Sequence, residues 1–183
     1  MTIFLIILVI AVLLALYVVV VRNGLVRLRN RVENGWAQID VQLKRRSDLI
    51  PNLIETVKAY AAHERETLDA VIQARNAAVS ASGPAAASSA DAQLSGALGK
   101  LFALAEAYPD LKANTNFLAM QEELTATEDK VGYARQAYND AVTTYNTKIQ
   151  QIPGSLFAGG MGFKVREYYQ VDEAAKAAPK VQF

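Results

Sequence analysis

Few residues in this chain have the types and spacing that catalysis or metal binding requires. The sequence contains one histidine and no cysteine, which excludes disulfides, thiolate catalysis and cysteine-ligated zinc or iron–sulfur sites. His63 is followed by Glu64 and Glu66, a partial match to the helical zinc motif of metalloproteases. That motif needs a second histidine four residues after the first, and the sequence has none. We therefore predict no catalytic residues, no bound metal and no cofactor.

Three consecutive cations, Lys44 to Arg46, could form a patch for phosphates of lipid or nucleic acid. Consecutive helical residues point to three different sides, however, and no aromatic residues alternate with the basic ones. The net charge of the chain is only +1, which also disfavours a nucleic-acid partner. We expect Lys44 and Arg45 to be solvated or to pair with Asp40 and Asp48. Arg46 falls on the apolar face of the helix and should pair with a carboxylate on a neighbouring helix.

A Tyr-Asn pair occurs twice at seven-residue spacing, as Tyr138-Asn139 and Tyr145-Asn146. On a helix this spacing places both tyrosines on one face. We interpret them as amphipathic side chains at a helix interface whose hydroxyls reach polar partners. A ligand site is the alternative.

The N-terminal residues from Ile3 to Val21 form an uncharged apolar run without glycine or proline. A helix of this length covers roughly 28 Å, close to the hydrocarbon thickness of a bilayer. A cleaved signal peptide is disfavoured because the run lacks a basic region before it and a small-residue cleavage site after it. We predict a permanent single-pass transmembrane anchor.

The flanks of the apolar run predict its orientation. Arg22, Arg27, Arg29 and Arg31 follow it, and only two residues precede it. Because short flanking segments rich in cations stay in the cytoplasm, we expect the N-terminus outside and the remaining chain in the cytoplasm, at the bacterial inner membrane. Arg22, Arg27 and Arg29 should contact lipid headgroups. Lys44 lies roughly 35 Å beyond the span on a straight helix, too far to sense the membrane surface.

Apolar residues continue at three- and four-residue spacing beyond the span, and Pro51 lies within this pattern. The pattern keeps its phase through Ile50, Leu53 and Val57, so we predict one continuous helix, kinked at Pro51, that ends near Val79. A new helix capped by Asp48 is the alternative.

The second half of the sequence predicts two further amphipathic helices. Turn-forming residues occupy 80–90, a second helix covers 92–108, and a third runs from Leu111 or Asn116 to about Ile152. The Gly-rich stretch at 159–162 lacks the context of a phosphate loop and is interpreted as a hinge or subunit contact. A short fourth helix at 163–171 and a weakly structured tail complete the chain. We expect Arg46, Glu64, Glu128 and Arg135 to form ion pairs between helices, which set register more than stability.

Two long blocks of this sequence resemble the LemA family. They are RLRNRVENGWAQIDVQLKRRSDLIPNLIETVKAYAAHE, from Arg27 to Glu64, and the block from Tyr108 to Ala158 that begins YPDLKANTNFLAMQEEL. The resemblance implies a bacterial single-span membrane protein with a helical-bundle body and no established enzymatic activity or cofactor. A relative takes part in membrane organisation in magnetosome-forming bacteria, so a scaffold role follows by analogy only.

These observations predict an all-α protein: an N-terminal transmembrane helix that continues into the long helix of an antiparallel, coiled-coil-like bundle of three to four helices. We divide it into an anchor at 1–21, a bundle at 22–158 and a Gly-rich loop with a C-terminal segment at 159–183. The first functional hypothesis is a membrane-associated scaffold that forms homo-oligomers, because the first helix should have an apolar stripe that one chain cannot cover. The alternative is a regulatory adaptor that binds another membrane or envelope-stress protein. An enzyme is a distant third.

Overall fold

The computed structural model describes residues 1–170, and within them all regular structure is helical. Six helices follow one another: α1 (Thr2–Lys58), α2 (Arg65–Ser80), α3 (Pro84–Ala105), α4 (Pro109–Lys112), α5 (Thr115–Gln150) and α6 (Gly154–Ala158). The all-α prediction is confirmed. The predicted tail at 173–183 lies outside the described residues.

Helix α1 includes both the apolar run and the first helix of the bundle without interruption. Its N-terminal part is the one stretch of the described chain that is long and apolar enough to cross a membrane, with a mean hydropathy of 3.5 and none of it buried. Beyond Val21 the residues that become buried follow a seven-residue step, as in Leu25, Val32 and Ile39. This step is the pattern of a helix packed lengthwise against another.

Helix α5 supplies most of that packing. It runs antiparallel to α1, since Asn114 bonds Tyr60 at one end while Lys148 lies beside Gly24 at the other. Its 36 residues span about 54 Å, close to the roughly 50 Å of α1 between Leu25 and Lys58. One chain therefore covers the apolar stripe of α1 outside the predicted span, which overturns our argument that this stripe is left uncovered.

Pro51 lies inside α1, and the helix continues through it. Proline has no N–H to donate, so the Ser47 carbonyl one turn earlier loses its usual helical partner. The Nε of Arg75 on α2 donates to that carbonyl instead, at 3.1 Å. Because Ser47 is buried, its carbonyl has little access to water. The Arg75 side chain therefore supplies the hydrogen bond that this acceptor needs.

The prediction that the first helix reaches Val79 is wrong, because α1 ends at Lys58 and α2 starts at Arg65. A tight turn lies between them, in which Ala61 donates to the Val57 carbonyl and Glu64 to the Ala61 carbonyl. This stretch contains no glycine or proline, and its apolar spacing continues from buried Ala61 to buried Leu68. The sequence therefore carries no ordinary signal of the turn.

Helix α3 begins earlier than predicted, inside the stretch 80–90 that we interpreted as a turn. The turn occupies only 81–83, where Gly83 takes a positive φ of 84°, and Pro84 starts the helix. Proline suits a first helical turn because its φ is already helical and its missing N–H would have no partner there. Asn114 caps α5, and its side chain accepts from the amides of Asn116 and Phe117.

The buried side chains form two clusters. The one distant from the apolar run joins the second half of α1 to α2, α3 and the start of α5, around Leu53, Val71 and Leu101. The one near the run joins residues 21–43 of α1 to the end of α5 and to the segment after α6, around Ile39, Tyr145 and Phe163. Arg46 lies between the two clusters along α1.

The fourth helix that we predicted at 163–171 is not observed over its described residues. Helix α6 forms just before it instead, and 163–170, here called the C-terminal segment, has no helix or turn. Phe163 and Tyr169 of this segment are buried. The helix is missing because the backbone of this segment forms hydrogen bonds with side chains of α5.

Candidate functional site

Arg46 is the most deeply buried charge of the described chain, with 2% of its side chain exposed. One terminal nitrogen donates to Asp91 of α3 at 2.7 Å, and the other to Glu128 of α5 at 3.3 Å. Asp91 is mostly buried, whereas 59% of the Glu128 side chain is exposed. The guanidinium therefore joins three helices, and Asp91 is the partner that shares its low-dielectric surroundings.

Tyr169 of the C-terminal segment completes this cluster. Its hydroxyl donates to the second carboxylate oxygen of Asp91 at 3.2 Å. Burial raises the pKa of the Tyr169 phenol well above its ordinary value, and the charge of Asp91 and the hydrogen bond to it raise it further. Arg135 and Arg46 act in the opposite direction on this pKa. The phenol thus stays a neutral donor that holds the segment on Asp91.

The repeated Tyr-Asn pairs of α5 bind the backbone of the C-terminal segment. Asn146 donates to the carbonyl of Arg166 and accepts from its amide, both at 2.9 Å. Asn139 does the same for Tyr169, both at 3.0 Å. We call these four side chains, Tyr138, Asn139, Tyr145 and Asn146, the Tyr-Asn ladder.

The two tyrosines of the ladder repeat one contact along the segment. Tyr145 donates its hydroxyl to the Lys164 carbonyl at 2.9 Å, and Tyr138 donates to the Glu167 carbonyl at 2.8 Å. Burial is the main cause that raises the pKa of both phenols. Both hydroxyls therefore remain donors over the physiological range.

The spacing of the ladder explains the shape of the segment. Seven residues of helix rise about 10.5 Å, and the matching backbone groups of the segment are three residues apart. Three residues cover about 10 Å only when the chain is nearly fully extended. The ladder therefore favours an extended segment, and all of its hydrogen bonds to that segment reach main-chain atoms.

Aromatic contacts and a close helix approach support the ladder. Trp36 of α1 packs its ring 6.0 Å from that of Tyr138 and 6.5 Å from that of Tyr169. A side chain at Gly35 would place its Cβ 3.4 Å from the Tyr138 backbone. The two helices therefore approach closely here, at the limit of ordinary contact for a side chain at position 35.

A polar cleft of about 510 Å³ adjoins the buried ion pairs. Acidic Asp91, Glu128 and Asp129 line it together with Arg135 and Tyr169. Within the described residues, no group of three or more histidines, aspartates and glutamates is placed to hold a metal ion. The mixed charges of the cleft suit a solvated helix junction.

The four residues predicted to form inter-helix ion pairs have different surroundings. Arg46 and Glu128 bond each other. Glu64 instead accepts a hydrogen bond from Tyr108 at 2.8 Å, which is the main cause that raises the pKa of that phenol. Arg135 lies in the wall of the polar cleft and has no ion-pair partner within residues 1–170.

The remaining predicted residues are spread along α1 and the turn after it. Arg45 pairs with Glu123 of α5 at 2.5 Å, not with either aspartate on its own helix. Arg22 and Arg27 are exposed next to the apolar run. Arg29 contacts the chain itself, with its guanidinium 5.6 Å from the Phe163 ring centre. His63 lies exposed in the turn before α2.

Several residues of these sites, Tyr169 among them, were missed by the sequence reasoning. Asp91 carried a signal, because it is the only acidic residue of α3 and a buried arginine needs such a partner. No feature of the sequence pointed to Arg75. Pro51 identifies the Ser47 carbonyl as the acceptor without a helical partner, but nothing in the sequence identifies its donor. Arg166 bonds Glu33 at 2.9 Å from 133 residues away, a pairing that no local pattern predicts.

Comparison with known families agrees with this architecture. The sequence profile of the LemA family matches residues 35–183, which is most of the chain and includes the buried arginine and the ladder. The chain belongs to the LemA family. Membership confirms the resemblance noted in the two long sequence blocks.

The LemA-family chain is similar to several curated proteins. It is 31% identical over 132 residues to "Protein LemA" of Metamycoplasma hominis, which covers 70% of this chain and 59% of that protein. It is 26% identical over 174 residues to "Magnetosome protein MamQ 2" and "Magnetosome protein MamQ 1" of Paramagnetospirillum magneticum, covering 81% of this chain and 64% of each relative. The chain thus spans about three fifths of the length of these relatives. The family and the apolar N-terminal helix identify a membrane-associated helical protein.

Proposed function

We propose that the protein is a membrane-anchored scaffold in which copies of the bundle associate side by side. The observation that carries this proposal is an apolar groove on the flank of the bundle, between α1 and α5. Catalysis has no part in it. The relatives named as magnetosome proteins support it by analogy only.

The groove has a floor of small residues and two large exposed rims. Ala37 of α1 and Ala134 and Ala137 of α5 line it together with three polar side chains, and its volume is about 600 Å³. Val41 is 61% exposed and Tyr133 is 76% exposed. An alanine floor allows close approach of another helix, and an exposed aromatic beside it is typical of an association surface.

The membrane anchor fixes the height of the groove above the bilayer in every copy. Val41 lies 20 residues beyond Val21 on the continuous helix α1, about 30 Å above the hydrocarbon edge. Copies held by parallel anchors present this groove at the same height. A symmetry axis normal to the membrane can then bring the groove of one copy against the groove of a second. This surface replaces the uncovered α1 stripe as the basis of the scaffold hypothesis.

The proposal places the anchor in the bacterial inner membrane with the N-terminus outside and the bundle in the cytoplasm. The four arginines that follow the apolar run support this orientation. A reporter that is active only in the periplasm, fused to the C-terminus, tests it. Activity of that reporter would overturn the cytoplasmic placement.

Cysteine crosslinking tests the association surface, since the natural chain has no cysteine. With Val41→Cys in membranes, a short thiol crosslinker should join two copies. Val79→Cys is the matched control, because Val79 is equally exposed but lies at the end of α2. Efficient dimers at Val79 and none at Val41 would refute the proposed surface.

Photocrosslinking separates the scaffold from an adaptor. A photoactivatable residue at Tyr133 should recover mainly a second copy of this chain. Recovery of one different membrane protein, with no self-contact, would instead support the regulatory adaptor hypothesis.

A further inference from the structure

A cleft where the bundle meets the apolar run faces the level of the membrane surface. One face of α1, from Tyr17 to Leu28, lines it, and Lys148, Pro153 and Gly154 from the α5–α6 corner form the opposite wall. Its volume is about 520 Å³. We propose that this cleft binds the headgroup of an anionic phospholipid and that the α5–α6 corner rests in the membrane interface.

The height of the cleft along α1 matches the headgroup layer of a bilayer. Gly24 shares the cleft with Pro153 and follows the end of the apolar run by three residues, about 4.5 Å along the helix. The headgroup layer on each side of a bilayer is roughly 5–8 Å thick. The corner therefore lies at the depth of the headgroups when the apolar run fills the hydrocarbon.

The cleft carries two positive charges that suit an anionic headgroup. Arg27 and Lys148 are both exposed and both line it. Among residues 1–170, neither has a carboxylate within ion-pair distance. Two cations from different helices, free to turn toward one cleft, suit a phosphate diester that carries a negative charge. Arg29 differs, since it contacts Glu33 and Phe163.

The α5–α6 corner exposes large apolar side chains next to the cleft. Ile152 is 79% exposed and Leu156 is 69% exposed, on either side of Pro153. Large aliphatic side chains left in water at one end of a bundle are unusual, and the membrane interface would cover them. Tyr17, 48% exposed in the lower part of the cleft, has the amphipathic ring that is enriched at this level.

The lower wall of the cleft fits the rest of a lipid molecule. Tyr17, Val20 and Val21 belong to the apolar run itself, so an acyl chain can lie along them while its headgroup meets Arg27 and Lys148. A soluble phosphate would leave that wall exposed to water. The occupant is therefore a membrane lipid.

Lipid retention tests the headgroup site. Full-length protein is purified in mild detergent, offered phosphatidylglycerol or phosphatidylcholine, and analysed by native mass spectrometry. We expect phosphatidylglycerol to be retained in preference, and Arg27→Gln with Lys148→Gln to weaken its binding roughly 30-fold. Arg65→Gln with Lys100→Gln removes the same two cation types from exposed sites elsewhere and should leave retention unchanged. Equal retention of both lipids, loss with both variant pairs, or competition by inorganic phosphate would overturn the site.

Spin labels on single cysteines test the depth of the corner in vesicles that contain phosphatidylglycerol. A label at Leu156→Cys should be more accessible to oxygen than to a water-soluble nickel reagent, whereas one at Val79→Cys should show the reverse. A water-like label at Leu156 would overturn the inference. This inference rests on the membrane anchoring in the proposed function, not on self-association. A label at Leu8→Cys checks the anchoring separately, since a water-like result there would refute the anchor itself.

Discussion

The guanidinium of Arg75 on α2 donates to the carbonyl of Ser47 on α1, the acceptor that Pro51 leaves without a helical partner. The proline is thereby tolerated inside a 57-residue helix. The same bond ties α2 to the long helix. The carbonyl that the proline leaves unpaired in α1 is therefore the acceptor of a tertiary hydrogen bond from α2.

The Arg75–Ser47 bond should be coupled to Pro51. Arg75→Met keeps most of the aliphatic stem but leaves a buried carbonyl unpaired, at a cost of about 1–3 kcal/mol in unfolding free energy. Pro51→Ala supplies an N–H four residues after Ser47 and should reduce that cost. Chemical unfolding in detergent, followed by circular dichroism at 222 nm, measures the four members of this double-mutant cycle.

The control for this cycle is Arg65→Met on the same helix, where the side chain is exposed. It should change stability by less than about 0.5 kcal/mol. If Arg75→Met costs the same with Pro51 as with alanine, the compensation that we describe does not exist.

The buried arginine should be far more sensitive than its neighbour. Arg46→Met leaves Asp91 with an unpaired charge in a largely buried position, and removing one partner of such a pair costs about 3–5 kcal/mol. Arg45→Met breaks a partly exposed pair with Glu123 and should cost less than about 1 kcal/mol. Equal costs for the two adjacent arginines, measured by the same unfolding assay, would contradict the assigned roles.

Hydrogen exchange should distinguish the contributions of the two asparagines of the Tyr-Asn ladder, Asn139 and Asn146. Asn146→Ala removes the acceptor of the Arg166 amide, so exchange at that amide should accelerate more than at the Tyr169 amide. Asn139→Ala should give the reverse order, since its side chain accepts from Tyr169.

Thr144→Ala provides a control on the same helix, because its hydroxyl bonds only a carbonyl of its own helix. It should leave both amides protected. Identical exchange of the two amides in all three variants would show that the segment is not held by these asparagines.

Stability should fall at high pH because of Tyr169. Its pKa is raised in the folded state, so its contribution is fully present below about pH 10, the ordinary pKa of tyrosine. Above that pH the unfolded chain loses the phenol proton first, and stability declines by up to about 1.4 kcal/mol per pH unit. Tyr169→Phe should flatten the decline between pH 10 and 11. Parallel slopes for the two proteins would refute this assignment.

The sequence predicted those parts of the molecule that depend on periodicity. The apolar run, the phase of α1 through Pro51, and the position of Arg46 on a buried face all follow from residue spacing. The turn at 59–64 was missed because it has no glycine or proline and because its buried alanine keeps the helical spacing. The start of α3 was missed because Pro84 favours both a turn and a first helical turn.

The partners of the candidate sites depend on contacts between distant residues. The seven-residue Tyr-Asn repeat showed that two polar pairs share one helix face, and we expected their hydroxyls to reach partners. It did not show that the partner is the chain's own backbone. We predicted a helix at 163–171, but main-chain bonds to side chains of α5 hold the described residues 163–170 extended, and these long-range contacts cannot be seen in the local sequence.

Mass photometry of the full-length protein in mild detergent tests the scaffold account most directly. The account predicts particles of two or more copies, and it predicts that Ala137→Glu, which puts a charge into the floor of the groove between α1 and α5, reduces them to single copies. Ala107→Glu, on an exposed site away from the groove, should leave the assembly intact. Single copies of the unmodified protein at all concentrations would contradict the account.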